Sequence, residues 1–249
     1  MLKAGDRVEG QTLAGDDFAG ADLSDIELID CTLEDAGLSD TVLQGARFSR
    51  CRLVRCRFSH ADLREAAFED CSFADPASQT GAAFAFSRLD EARFDRCDLT
   101  HARFEGADLY GVRMQDCNLL GARVQRSSFA RAFGRSVVRV SAVFTDCNFE
   151  LADLSEARLP GCELVRCRLR EADLSGADLE GADLTGADLF QAVIDDAKFA
   201  GADLRGAEVS TLDLRRLATY ARLKITADQQ YALLTAMGLD VHPDDARRR

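Results

Sequence analysis

Residues 172–189 read Ala172-Asp173-Leu174-Ser175-Gly176-Ala177-Asp178-Leu179-Glu180-Gly181-Ala182-Asp183-Leu184-Thr185-Gly186-Ala187-Asp188-Leu189. A small residue is followed two places later by Leu, and the unit returns every fifth residue. Five matches neither the 3.6-residue turn of a helix nor the two-residue alternation of a strand, so each unit must hold a short segment and a bend. A fixed period over most of a chain is the mark of a solenoid.

With Leu or Phe as the centre of each unit, the register runs outward in both directions. It passes from Leu13 through Phe18, Leu23, Leu28 and Leu33 to Phe73, resumes at Phe84, Leu89 and Phe94 and continues to Phe129, then runs from Phe144 through Leu154, Leu164 and Phe199 to Leu214. Residues 11–75, 82–131 and 142–216 thus make 13, 10 and 15 units. All nine cysteines fall two places before a centre, where Ala is usual. The Cys51/Cys56 and Cys162/Cys167 spacings therefore follow from the period, and Cys acts there as a small buried hydrophobe. An odd cysteine count and an opening Met1-Leu2-Lys3-Ala4-Gly5-Asp6-Arg7 without an apolar run predict a reducing, cytoplasmic setting. No stretch approaches the ~20 apolar residues of a membrane span.

The repeat resembles the pentapeptide-repeat family, with its Ala-(Asp/Asn)-Leu-x-x pattern, over nearly all of the chain. The resemblance implies an all-β fold, a right-handed quadrilateral β-helix with one unit per side and four per coil. At the ~4.8 Å spacing of hydrogen-bonded strands, such a rod is roughly 45 Å long.

Two interruptions divide the solenoid, which is expected over 1–216 with loops at 76–81 and 132–141. The first, Pro76-Ala77-Ser78-Gln79-Thr80-Gly81, is rich in turn formers and shifts the phase by one. The second, from Ala132 to Ser141, puts Gly134 and Arg139 where apolar centres belong, so it should project. The spacing between them puts the loops on opposite faces of the rod. Loops on a rigid scaffold are favoured binding elements, which makes Pro76, Ser78, Gln79 and Thr80, and Arg131, Phe133, Arg135 and Arg139, the candidate contact residues. Phe86 and Phe190 are further aromatics outside the centres.

Charge is uneven. The net formal charge is −7 over residues 1–73, +2 over 74–143, −10 over 144–214 and +3 over 215–249. Positions twenty apart share a face, so Glu163, Asp183 and Asp203 stack in one acidic column and Asp153 with Asp173 in another. That spacing is close to that of phosphates along a strand and suggests a DNA-mimicking face. Direct nucleic-acid binding is disfavoured by a net charge of −12. The three histidines show no metal or nucleophile spacing, and the carboxylates have no pocket to perturb them. No catalytic residue, metal or cofactor is expected, and the protein reads as a non-enzyme.

The tail, 217–249, carries Thr226-Ala227-Asp228-Gln229, which reads as a capping box starting a helix. Tyr231, Leu234 and Met237 form an apolar stripe, Gly238 ends the helix, and Leu239 and Val241 follow in an extended segment. The run Gln229-Gln230-Tyr231-Ala232-Leu233-Leu234-Thr235-Ala236-Met237-Gly238-Leu239-Asp240-Val241 is similar to the tail of the quinolone-resistance (Qnr-like) topoisomerase-protecting proteins, as are the two loops. That resemblance implies a capping helix that dimerises the rod end to end and a partner, DNA gyrase or a related type II topoisomerase, shielded from quinolones or other poisons. The alternative is a general pentapeptide-repeat scaffold or effector with a different partner.

Overall fold

A computed structural model of the chain describes residues 2–14, 18–75, 77–133 and 137–242. The chain winds as a right-handed quadrilateral β-helix. Its local rule is visible in one unit: Asp173 N–H donates to Ala152 O in the coil before (2.9 Å), and Leu174 N–H to Val193 O in the coil after (2.8 Å). Ala177 N–H then donates back to Leu174 O (3.0 Å), closing a turn. The second residue after most centres turns the corner with positive φ, as at Gly176 (66°), Glu171 (54°) and Arg166 (52°), the conformation required at the third position of a type II turn. Leu and Phe centres, and the Ala or Cys two places before them, fill the interior with almost no exposure.

Four faces result. On the first, Arg7–Glu9, Glu27–Ile29, Arg47–Ser49, Ala67–Glu69, Arg93–Asp95, Val112–Gln115, Ala142–Thr145 and Glu163–Val165 form an eight-stranded parallel sheet, and bridges carry it on through Asp183 and Asp203 to Lys224. The second face begins with Thr12–Ala14, Thr32–Glu34 and Arg52–Val54. The third runs Gly37, Arg57, Ala83, Arg103, Arg123, Asp153, Asp173, Val193, and the fourth runs Asp22, Val42, Asp62, Arg88, Asp108, Ser128.

The repeat register runs past both ends of the run counted from Leu13 to Leu214, while its start stays within the expected 1–216. The solenoid starts one unit earlier than Leu13, because Val8 pairs with Leu28 and is buried. Val is an admissible centre on a buried face, which a Leu/Phe criterion passes over. At the other end Leu214 is no regular centre: Leu214–Arg216 is a 3-10 turn capped by the Asp213 carboxylate. The extra residue shifts the phase, and the coil continues beyond 216, with Lys198 pairing Thr219 and Asp203 pairing Lys224.

The cysteines reveal an order that their shared position did not predict. Seven of them, Cys31, Cys51, Cys71, Cys97, Cys117, Cys147 and Cys167, each precede a residue of the second face and stack in one column over consecutive coils. Their thiols point at backbone carbonyls, Cys71 at Phe48 O (3.4 Å) and Glu69 O (3.3 Å), Cys117 at Phe94 O (3.4 Å). Thr41 Oγ1 does the same at Phe18 O (2.9 Å) on another corner, so the position favours a small side chain with one weak donor. Burial pushes the Cys56 thiol up to about 12 and the Cys162 thiol up to about 11, which keeps both protonated and inert.

No helix among the described residues is long and apolar enough to cross a membrane. The single α-helix among them, α1, spans Gln229–Ala236.

Candidate interaction surfaces

Neither interruption is slack. Loop 1 leaves the corner between the second and third faces as a tight turn in which Asp75 N–H donates to Thr80 O (2.8 Å) and Gln79 N–H to Asp75 O (3.0 Å). Asp75, only 5% exposed, is its hub. Its carboxylate accepts from Ala77 N–H (3.1 Å), Ser78 Oγ (2.7 Å) and Arg55 Nη1 (3.1 Å), and the Ser78 hydroxyl followed by Arg55 holds it below the usual carboxylate range. Gln79 and Thr80 are exposed at the tip. Pro76 lies outside the described residues. The chain re-enters the coil at Gly81, where an added Cβ would stand 2.3 Å from Thr100 O and 2.5 Å from Ala102 N. Backbone atoms cannot retreat as a side chain would, so Gly81→Ala should cost about 1–3 kcal/mol, read as a lower denaturation midpoint with an unchanged slope.

The second interruption is ordered as a β-hairpin rather than an irregular loop, and it starts earlier than 132. Ala130–Phe133 pairs antiparallel with Val137–Val140, Arg131 opposite Arg139. It springs from the corner between the fourth and first faces, diagonally across from loop 1. Arg135 lies outside the described residues. The base of the hairpin is pinned by a relay of contacts. Arg131 forms an ion pair with Asp90, which is only 3% exposed. Its guanidinium lies 4.6 Å from the centre of the Tyr110 ring, Tyr110 meets Phe133 edge-on at 6.0 Å, and Arg139 covers Phe133 at 5.4 Å. Arg131 is therefore an anchor, while Phe133 and Arg139 are displayed. Asp90 and Tyr110 were not singled out from the sequence; both sit one place after a centre, normally an outward position, and the hairpin packs against them through Arg131 and Phe133.

The acidic columns do form, through Glu163–Asp183–Asp203 and Asp153–Asp173 bridges, but their carboxylates are not equivalent. The consensus Asp is a turn residue: one oxygen accepts the N–H two places on, as in Asp153–Ser155 (3.1 Å), Asp173–Ser175 (2.9 Å) and Asp183–Thr185 (2.9 Å). Asp203 is buried and paired with Arg205 (2.8 Å) and Lys224 (3.7 Å), so it does not contribute a free charge to its column. Elsewhere acids are neutralised along the corners by the coil above, as in Asp30–Arg50, Asp70–Arg96 and Asp146–Arg166. Carboxylates outside any ion pair among the described residues collect in the last third, at Asp153, Glu163, Asp173 and Asp183 among others.

At the C-terminal end the capping box is only half made. Gln229 Oε1 accepts from Thr226 N–H (2.7 Å), but the Thr226 hydroxyl donates to the same oxygen (2.9 Å), and Asp228 is the N-cap residue. Gln229 Nε2 is drawn away to Leu204 O (2.7 Å) and Ala207 O (2.8 Å), docking α1 on the last coil. The buried side of α1 is Gln229 and Leu233, one residue off the expected stripe. That rotation leaves Tyr231 (61% exposed) and Leu239 (52%) outward, with Leu234, Met237 and Val241 half-buried. Gly238 ends the helix at φ 80°, with Leu239 N–H donating to Leu234 O (3.0 Å).

Comparison with known proteins agrees with this architecture. The profile for pentapeptide repeats matches residues 17–50, 147–186 and 182–216, and that for a pentapeptide repeat region matches 47–124. No curated protein matches the chain by sequence. Among solved structures, full-length QnrB1, a plasmid-mediated fluoroquinolone resistance protein, superposes with a TM-score of 0.76 at 26% identity, covering 94% of this chain and 100% of that one. A trypsin-treated point variant of QnrB1 gives 0.74 at 26% identity, covering 98% and 100%. HetL, a pentapeptide repeat protein involved in heterocyst differentiation regulation from the cyanobacterium Nostoc sp. strain PCC 7120, gives 0.52 at 25% identity, covering 88% and 86%. Repeat, corner geometry and full-length likeness together place this chain in the pentapeptide-repeat family.

Proposed function

We propose that this protein binds a bacterial type II topoisomerase, DNA gyrase first, and protects it from quinolones or other poisons without catalysing a reaction. The observation that carries the reading is the likeness to QnrB1 over 94% of this chain and 100% of that one. In mechanism, the acidic last third, with Asp153, Glu163, Asp173 and Asp183 foremost, occupies the basic surface that takes DNA. The hairpin, presenting Phe133 and Arg139, and the loop 1 tip at Gln79 and Thr80 reach toward the drug-bearing cleavage site. The test is a supercoiling assay with purified gyrase and a quinolone. Increasing amounts of the protein should restore supercoiling, and neither rescue nor binding at any amount would reject the proposal.

The exposed apolar residues of the cap support an end-to-end homodimer, since such side chains at a β-helix end are otherwise left to water. Tyr231, Leu234, Met237, Leu239 and Val241 form its core. Leu234→Glu with Tyr231→Glu should convert a dimer to a single chain in sedimentation, with the circular dichroism of the rod unchanged. A second reading, a scaffold for another partner, is favoured by the likeness to HetL and by the turn-bound Asp carboxylates. It requires neither gyrase affinity nor dimerisation.

A further inference from the structure

The third face changes sign along its length. Its outward positions are Arg57, Ala83, Arg103 and Arg123, then Asp153 and Asp173, stacked in register. The three arginines are exposed and, among the described residues, form no ion pair. They span three coil steps, about 14 Å at ~4.8 Å per step. Corner arginines such as Arg50, Arg55, Arg96 and Arg166 pair with carboxylates, and what sets this stripe apart from other face arginines unpaired among the described residues, such as Arg93 and Arg113, is the loop and the aromatic that flank it.

The stripe has walls. On one side loop 1 rises from the corner, and a depression of about 200 Å³ is lined by Gln79, Thr80, His101, Arg103 and Arg123. On the other corner Phe86 stacks on His60 at 5.3 Å, with its ring over Gly106, and remains 55% exposed. An arginine fork holds a carboxylate through two parallel N–H···O bonds, and an exposed aromatic beside it supplies an apolar anchor, the combination enriched at interface hot spots.

We propose that the third face between loop 1 and Phe86 docks an acidic polypeptide segment bearing an apolar or aromatic residue, with Arg103 and Arg123 holding its carboxylates and Phe86 its apolar side chain. Extended chain at ~3.3 Å per residue needs only four or five residues to cover the stripe. Duplex DNA fits poorly, because it carries a charge every ~1.7 Å and would continue past Arg123 over Asp153 and Asp173. The inference does not rest on the topoisomerase reading, although loop 1, which that reading sends toward the cleavage site, also walls this groove.

Fluorescence anisotropy of labelled Glu-Glu-Phe-Glu-Glu against the full-length protein at low salt is the test, with a labelled short duplex DNA as the competing class. Binding is expected to weaken about tenfold or more in the R103Q/R123Q double variant, the loss of two charge-assisted contacts. It should weaken less in R103K/R123K and also fall in F86A, at unchanged thermal midpoint. All these positions face solvent, and the lysine variant keeps the charge should the glutamine variant misfold. Absence of peptide binding, equal binding by R103Q/R123Q, or tighter binding of the duplex than of the peptide would overturn the proposal.

Discussion

Phe84→Ala is expected to destabilise the rod by about 3–5 kcal/mol, the range for truncating a fully buried Phe, and to lower its melting temperature by roughly 6–20 °C. Phe84 is completely buried. It stacks between Phe58 (4.9 Å, 11°) below and Phe104 (5.0 Å, 5°) above. It also meets Phe73 and Phe94 edge-on at 5.6 and 6.2 Å. Each aromatic pair contributes about 0.5–1.5 kcal/mol beyond area burial, and the narrow interior has nothing to collapse into the gap. The site also follows loop 1, where the coil has just resumed. Because a solenoid is held by nearest-neighbour stacking, the loss should uncouple the two halves of the rod, and denaturation should broaden or split. A single unshifted transition would show that the phenylalanine stack does not carry the coupling.

Deletion of residues 132–141 is expected to abolish protection of the topoisomerase while leaving the rod folded. The ten residues equal two units, so the cut joins Arg131 to Ala142 and gives Phe129-Ala130-Arg131-Ala142-Val143-Phe144, an uninterrupted repeat. The deletion keeps Arg131, so Asp90 retains its ion-pair partner and loses only the overlying strands, and stability should change little. Arg131→Ala is the opposite case. There the hairpin stays above Asp90, whose Oδ2 already lacks a hydrogen-bond partner among the described residues, and the lost charge-assisted contact should cost about 1.5–3 kcal/mol. Rescue titrations with quinolone, paired with thermal melts, separate the two. Protection retained by the deletion variant would remove the hairpin from the mechanism.

The period made a solenoid legible, because a five-residue unit fits neither helix nor strand, and the resemblance to the pentapeptide-repeat family supplied the four-sided, right-handed winding. What the sequence withheld lies where the chain leaves that rule. The hairpin reads as a loop because its strands pair only with each other, and the alternations Ala130-Arg131-Ala132 and Val138-Arg139-Val140 are too short to stand out beside the five-residue period. Asp90 looks like a surface acid until Arg131 covers it. The tail helix was visible, yet its docking was not: Gln229 caps the chain and binds Leu204 and Ala207 carbonyls at once, and that double role rotates Leu233 inward. The acidic columns followed from spacing, whereas the pairing of Asp203 with Lys224 depends on the one-residue phase shift at the 3-10 turn.

Seven stacked thiols, one per coil from Cys31 to Cys167, also give the rod a natural ruler of its own fraying. A buried thiol reacts with an alkylating reagent only when its coil opens, so each cysteine's labelling rate converts directly into the opening free energy of one rung. Mass spectrometry of partly alkylated protein would then map where the solenoid breathes, coil by coil, with no residue replaced.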